Sequence, residues 1–200
     1  SVNMADLFST YDKRIKITID HTKIDADLSW FPVTVFLGNY GNIDVGAEAI
    51  DRNAAGGEDY THVNKGNPAN ASGKITSVEI YAATNIEGAI VATFSADGNN
   101  LTARDSHEIG SVTAGSKQTF TVDLDVEAGD YLGIYTPSGL IEMNTAGGGN
   151  GVWYKSGDYT ETTGDTFPVV NGWDISLYAT GFTINGEEVF TEFDADDDFD

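Results

Sequence analysis

Apolar and polar residues alternate along most of this chain with the two-residue period of a strand that buries one face. The alternation is cleanest over residues 117–126. There Phe120, Val122, Leu124 and Val126 fall on one side, and Thr119, Thr121, Asp123 and Asp125 on the other. Residues 74–82 (KITSVEIYA) repeat the pattern with Val78 and Ile80 inward. Residues 89–95 (AIVATFS) predict a strand, Ala96-Asp97-Gly98-Asn99-Asn100 a hairpin turn, and residues 101–109 the returning strand. Ala128-Gly129-Asp130 turns the chain into a strand at 131–135. Residues 140–144 and 151–155 predict two strands flanking the glycine run 147–149. Residues 172–180 (GWDISLYAT) predict one strand with Ile175 and Leu177 on the face opposite Ser176 and Tyr178, and 182–184 a further strand turned by Asn185-Gly186. Residues 38–70 read as loop, rich in Gly, Asn and Asp, with a short strand near 43–45. The best helix candidate, 47–55, is short and runs into Gly56-Gly57. Many short strands with regular turn signals predict an all-β, jelly-roll-like β-sandwich.

The two ends pose a separate problem. Ile15, Ile17 and Ile19 alternate with Lys16, Thr18 and Asp20, and the apolar run 30–37 (WFPVTVFL) makes a second strand. Two strands do not hold a sheet by themselves. The chain leaves them at Gly38 and returns to similar composition only at 182–193. This pattern predicts an N-terminal arm over 1–12, a split and incomplete β domain made of 13–37 with 182–200, and an inserted jelly roll over 38–181. An open sheet edge is a template for a neighbour's strand. The residues expected at such a subunit interface are Ile15, Ile17, Ile19, Val33, Val35, Val189, Phe190 and Phe193.

Charge sharpens this picture. The chain carries 10 Lys and Arg against 32 Asp and Glu, a net charge of −22. Neither nucleic acid nor an anionic membrane surface is therefore expected as a partner, because both are bound through basic residues. Four of the ten basic residues, Lys13, Arg14, Lys16 and Lys23, lie near the start, while residues 187–200 hold eight acids and no base. Lys13, Arg14 and Lys16 are expected to pair with Asp196, Asp197 and Asp198, which fixes register more than it adds affinity.

Little points to a reaction. There is no cysteine, hence no disulfide or thiolate metal site. His21, His62 and His107 are scattered and read as surface residues rather than as a metal triad. Neither a G-x-S-x-G elbow nor a Walker-type glycine loop occurs. A glycosidase would need two carboxylates facing one cleft, which composition this acidic does not locate. Asp194, Asp196 and Asp198 alternate as in a calcium loop, but position six of an EF-hand would be Phe199 rather than glycine. A looser calcium site at Asp198 and Asp200 is the remaining metal candidate, and no cofactor is expected. Trp153, Tyr154, Tyr159, Trp173 and Tyr178 read first as packing residues and second as a sugar-stacking platform. Asn70-Ala71-Ser72 and Asn100-Leu101-Thr102 are candidate glycosylation sites in predicted loops.

Residues 17–23 (ITIDHTK) and 31–35 (FPVTV) resemble the opening strands of an uncharacterised domain family of secreted, surface and virion-associated β proteins. In that family an acidic segment like 194–200 follows soon and leads into further strands; here it arrives only after the insertion. The body, from ITSVEIYA through GSKQTFTVDLDVEAGDYLGIY, is similar to jelly-roll modules of environmental phage, bacterial surface proteins and extracellular fibrils. These resemblances imply an extracellular or virion-surface protein and no enzymatic activity. The expectation is a structural fibre protomer forming an open homo-oligomeric filament, with a carbohydrate- or receptor-binding module as the alternative.

Overall fold

The computed structural model of the chain describes residues 33–35, 41–183 and 189–191. The chain divides into two units, Ser1–Val35 with Glu188–Asp200, and Phe36–Glu187.

The first unit contributes β1 (Val33–Val35) and, from the far end of the chain, β14 (Val189–Thr191). They pair antiparallel within one chain, with Val33 opposite Thr191, Thr34 opposite Phe190 and Val35 opposite Val189.

The second unit is all-β among its described residues. Its strands are β2 (Asn42–Ala47), β3 (Ala54–Ala55), β4 (Tyr60–Asn64), β5 (Gly73–Tyr81), β6 (Ile86–Asp97) and β7 (Asn100–Val112). They continue with β8 (Lys117–Val126), β9 (Tyr131–Thr136), β10 (Glu142–Ser156), β11 (Asp165–Thr166), β12 (Val169–Ile175) and β13 (Leu177–Phe182). The larger sheet runs β11-β7-β6-β9-β4-β10-β12, with β3 added to β10, and the smaller runs β2-β13-β5-β8. Together they form a jelly-roll-like sandwich.

Packing follows from the pleat. Adjacent residues of a strand face opposite sides of the sheet. Val91 and Ala92 on β6, and Val152 and Trp153 on β10, therefore divide between two cores. The first core lies between the sheets and includes Ile43, Ile75, Val78, Ile80, Leu124, Ile134 and Leu177. The second gathers Val63, Phe94, Leu101, Trp153 and Phe167 on the other face of the larger sheet. On β8 the expected alternation holds, with Val122, Leu124 and Val126 buried between exposed Thr121, Asp123 and Asp125.

Four expectations need correction. The run at Gly147 does not separate two strands: β10 is continuous through it, with register shifts between Asn144 and Gly149 and between Gly149 and Val152. Gly147 and Gly148 take φ of +94° and +87°, a conformation that suits glycine and lets the strand bulge without ending. Residues 172–180 are not one strand. The chain passes from the larger sheet to the smaller at Ser176, so Ile175, Ser176 and Leu177 are all fully buried. Residues 38–70 are not mainly loop: they supply β2, β3 and the central strand β4, and 47–55 forms no helix. Phe182, expected in the terminal domain, is the last residue of β13.

The body is closed where the chain enters and leaves it. The Gly41 N–H donates to Thr183 Oγ1 at 2.9 Å, and the Thr183 N–H donates to the Gly41 carbonyl at 3.0 Å. Entry and exit thus lie side by side, as an inserted module requires.

Candidate assembly interface

An edge strand exposes unpaired N–H and C=O groups along one side, and a protein that does not polymerise there must block them. The body blocks its edges with side chains and loops. On β2 the Asp44 N–H donates to Asn70 Oδ1 at 3.1 Å, and Asn70 Nδ2 donates to the Asn42 carbonyl at 3.1 Å. The Gly46 N–H donates to the Asn67 carbonyl at 3.0 Å. One asparagine amide thus replaces the peptide group of a missing strand. On β8, at the opposite edge of the same sheet, the Asp125 N–H donates to Asp105 Oδ2 at 2.7 Å, and Thr93 Oγ1 donates to the Asp125 carbonyl at 2.7 Å.

The larger sheet is protected in other ways. The start of β7 is covered by β11, and the Ala103 N–H donates to the Thr162 carbonyl. That covering loop is anchored by Lys155, whose Nζ donates to Asp165 Oδ1 at 2.6 Å and lies 4.2 Å from the centroid of the Tyr159 ring. Thr162 Oγ1 holds the other carboxylate oxygen at 2.6 Å. The Asp165 carboxyl is held below the usual carboxylate range, first by the hydrogen bond from Lys155 and then by that from Thr162. At the far edge β12 departs twice from regular register against β10, and such bulges spoil an edge as a template.

The β1–β14 pair differs. Among the described residues it is a two-stranded sheet of three residues a side. Of the residues expected at a subunit interface, Val33, Val35, Val189 and Phe190 lie in this pair. Ile15, Ile17, Ile19 and Phe193 lie outside the described residues, as do Lys13, Arg14, Lys16, Asp196, Asp197, Asp198 and the calcium candidates Asp198 and Asp200.

Other expected sites fall elsewhere. His62 is not a surface residue. It is 3 % exposed on β4, its Nδ1 has no hydrogen-bond partner among the described residues, and burial pushes the imidazole down to about 4. Among the described residues no group of three His, Cys, Asp and Glu side chains could hold a metal ion, and no helix is long and apolar enough to cross a membrane. The five aromatics do not form one platform. Trp153 is 1 % exposed in the second core, edge-on to Tyr131, with its indole N–H donating to Asn99 Oδ1 at 3.0 Å. Tyr159 and Trp173 pack against the second and first cores respectively, and Tyr154 stands beside Tyr60. Tyr178 lies on the other sheet. Asn70 is exposed, but its amide is engaged on β2, and Asn100 opens β7 rather than sitting in a loop.

The edge caps were not visible in the sequence. Asn70 stood out only as part of a glycosylation triplet, while Thr93, Asp105 and Asn67 carry no signal without the fold. A comparison with models of known protein families finds no match to this chain, and a comparison with curated proteins finds none either.

Proposed function

We propose that this chain is a structural protomer of an extracellular or virion-associated fibre, joined head to tail by β-strand addition through its terminal strands. The supporting observation is the contrast between edges. The body spends Asn70, Asn67, Asp105, Thr93 and the β11 loop on blocking its sheet edges. The terminal pair offers two three-residue strands drawn from opposite ends of the chain. A pair that short is marginal by itself in water. The β14 of a neighbouring copy can take the same register on β1, since identical chains offer identical partners. The contact is heterologous, so unless its rotation closes a ring it propagates into a filament. The excess negative charge keeps free protomers apart and soluble. The reading assigns the chain no reaction, and the resemblance of residues 17–35 to surface and virion-associated proteins supports the location.

The test removes one strand donor. Electron microscopy of the full chain should show filaments, and the chain lacking residues 1–37 should remain monomeric with its sandwich intact. Filaments from the truncated chain would end the strand-addition reading.

A further inference from the structure

We propose that the outer face of the smaller sheet carries a binding site for a neutral saccharide, centred on Tyr178. This inference concerns the body alone and does not depend on assembly. A depression of about 630 Å³ lies on this face, within the usual size of a small-ligand site. Its polar lining comes from Asn42 and Asp44 on β2, Thr76 on β5, Tyr178 and Thr180 on β13, and Asn70 from the loop that caps β2.

The backbone builds this surface in a particular way. Tyr178 stands between Gly46 on β2 and Glu79 on β5. Gly46 has φ of +93°, and a Cβ there would lie 2.4 Å from the Leu177 carbonyl oxygen, so the position is confined to glycine. Thr76 falls at a register shift of β5, where the extra residue is re-aimed into the depression. Asn70 is immobilised by its two bonds to β2.

The chemistry of the lining selects the ligand. A half-exposed tyrosine offers an apolar ring face with a polar tip, which suits the C–H face of a pyranose. The side chains of Asn42, Thr76 and Thr180 make no hydrogen bond to other described residues, which leaves amide and hydroxyl groups able both to donate and to accept. The Asp44 carboxylate takes a long contact from Asn67 Nδ2 at 3.5 Å and a hydrogen bond from the Tyr178 phenol; it is acceptor-only, with lone pairs left for a sugar hydroxyl. Burial, followed by the charges of Asp44 and Glu79 and the hydrogen bond to Asp44, raises the Tyr178 pKa, so the phenol stays protonated beside the carboxylate. Among the described residues no lysine or arginine lines the depression, and the nearby Lys74 is held by Asp123 at 2.8 Å and Asp125 at 2.9 Å. Phosphorylated, sulfated and uronic-acid ligands would therefore meet only like charge.

Affinity electrophoresis of the full chain in gels containing yeast mannan, a β-glucan, a galactan or polygalacturonate tests this. Retardation is expected in at least one neutral polysaccharide and not in polygalacturonate. Tyr178→Ala and Asp44→Asn should each weaken it by about tenfold or more, whereas Tyr178→Phe, which keeps the ring, should stay within about threefold of the parent. Unchanged thermal unfolding of each variant shows that the fold has survived. Retardation in none of the neutral gels, retention only by polygalacturonate, or undiminished binding by Tyr178→Ala would overturn the proposal.

Discussion

Asn64 holds Ile175 by both of its peptide groups. The Ile175 N–H donates to Asn64 Oδ1 at 3.0 Å, and Asn64 Nδ2 donates to the Ile175 carbonyl at 3.1 Å and to the Leu177 carbonyl at 3.2 Å. All three residues are fully buried. Here β12 ends, the chain crosses to β13, and both ladders lose their partners. The crossing residue is fixed from its own side, because Ser176 Oγ donates to the Ile50 carbonyl at 2.6 Å and accepts from Arg52 Nε at 2.7 Å. Buried peptide groups must find partners somewhere, and one asparagine supplies them where the sheets exchange the chain.

Asn64→Ala should therefore be among the most destabilising single changes in the body. It strands one N–H and two C=O groups without water, each costing about 1–3 kcal/mol. Chemical denaturation should show a loss of about 3 kcal/mol or more. Asn64→Asp should not rescue it, because a carboxylate cannot donate to the two carbonyls. A loss below about 1 kcal/mol would mean that these groups find other partners.

His62 predicts a specific pH dependence. Its folded pKa is about 4, against 6.5 for a solvated imidazole, so the unfolded chain takes up a proton that the folded one refuses between those values. Stability is thus lost as pH falls from about 6.5 to about 4, and the loss levels off below that. The full contribution is about 3 kcal/mol on the scale of 1.36 kcal/mol per pKa unit. Carboxylates titrate nearby, so the measurement is a difference: the stability gap between the parent and His62→Leu should move against the parent by about that amount between pH 7 and pH 4. A gap independent of pH would show that His62 titrates normally.

Asn70→Ala should cost the fold little, about 1 kcal/mol, because the β2 edge it uncovers can reach water. Its larger effect should be on association, since Asp44 and Asn42 would then present a free N–H and C=O on an exposed edge. Light scattering at high concentration should rise for this variant in the chain lacking residues 1–37, where terminal exchange is not available. Scattering equal to that of the otherwise identical Asn70 protein would show that the cap does not protect the edge.

The elements legible in the sequence were those with one wet face. β8 alternates because its outer residues meet solvent, and the β6–β7 hairpin announces itself through Gly98 and Asn99. β4 did not, because it is buried on both faces. Thr61, His62, Val63 and Asn64 are all buried, and polar residues in such a strand read as loop until their partners are known. Ser176 misled in the same way, since a polar residue between Ile175 and Leu177 fits an alternating strand and a sheet crossing equally well. Sequence suggested Val33, Val35, Val189 and Phe190 as edge-forming residues from composition alone. It gave no sign of the Asn70, Asp105 and Thr93 caps, which act through backbone groups brought together by folding.

The proposed fibre requires β1 of one copy to pair with β14 of the next. The chain has no cysteine, so two introduced thiols report on one pair only. Thr34 and Phe190 are directly opposite, and opposed residues of antiparallel strands have Cα atoms about 4.5–5.5 Å apart, within disulfide range. Thr34→Cys in a tagged chain and Phe190→Cys in an untagged chain, mixed under assembling conditions and oxidised, should give a disulfide-linked heterodimer of intermediate size. A mixture that yields no heterodimer, while the double variant in a single chain closes its own disulfide, would show that the ends pair only within one molecule and would contradict the account.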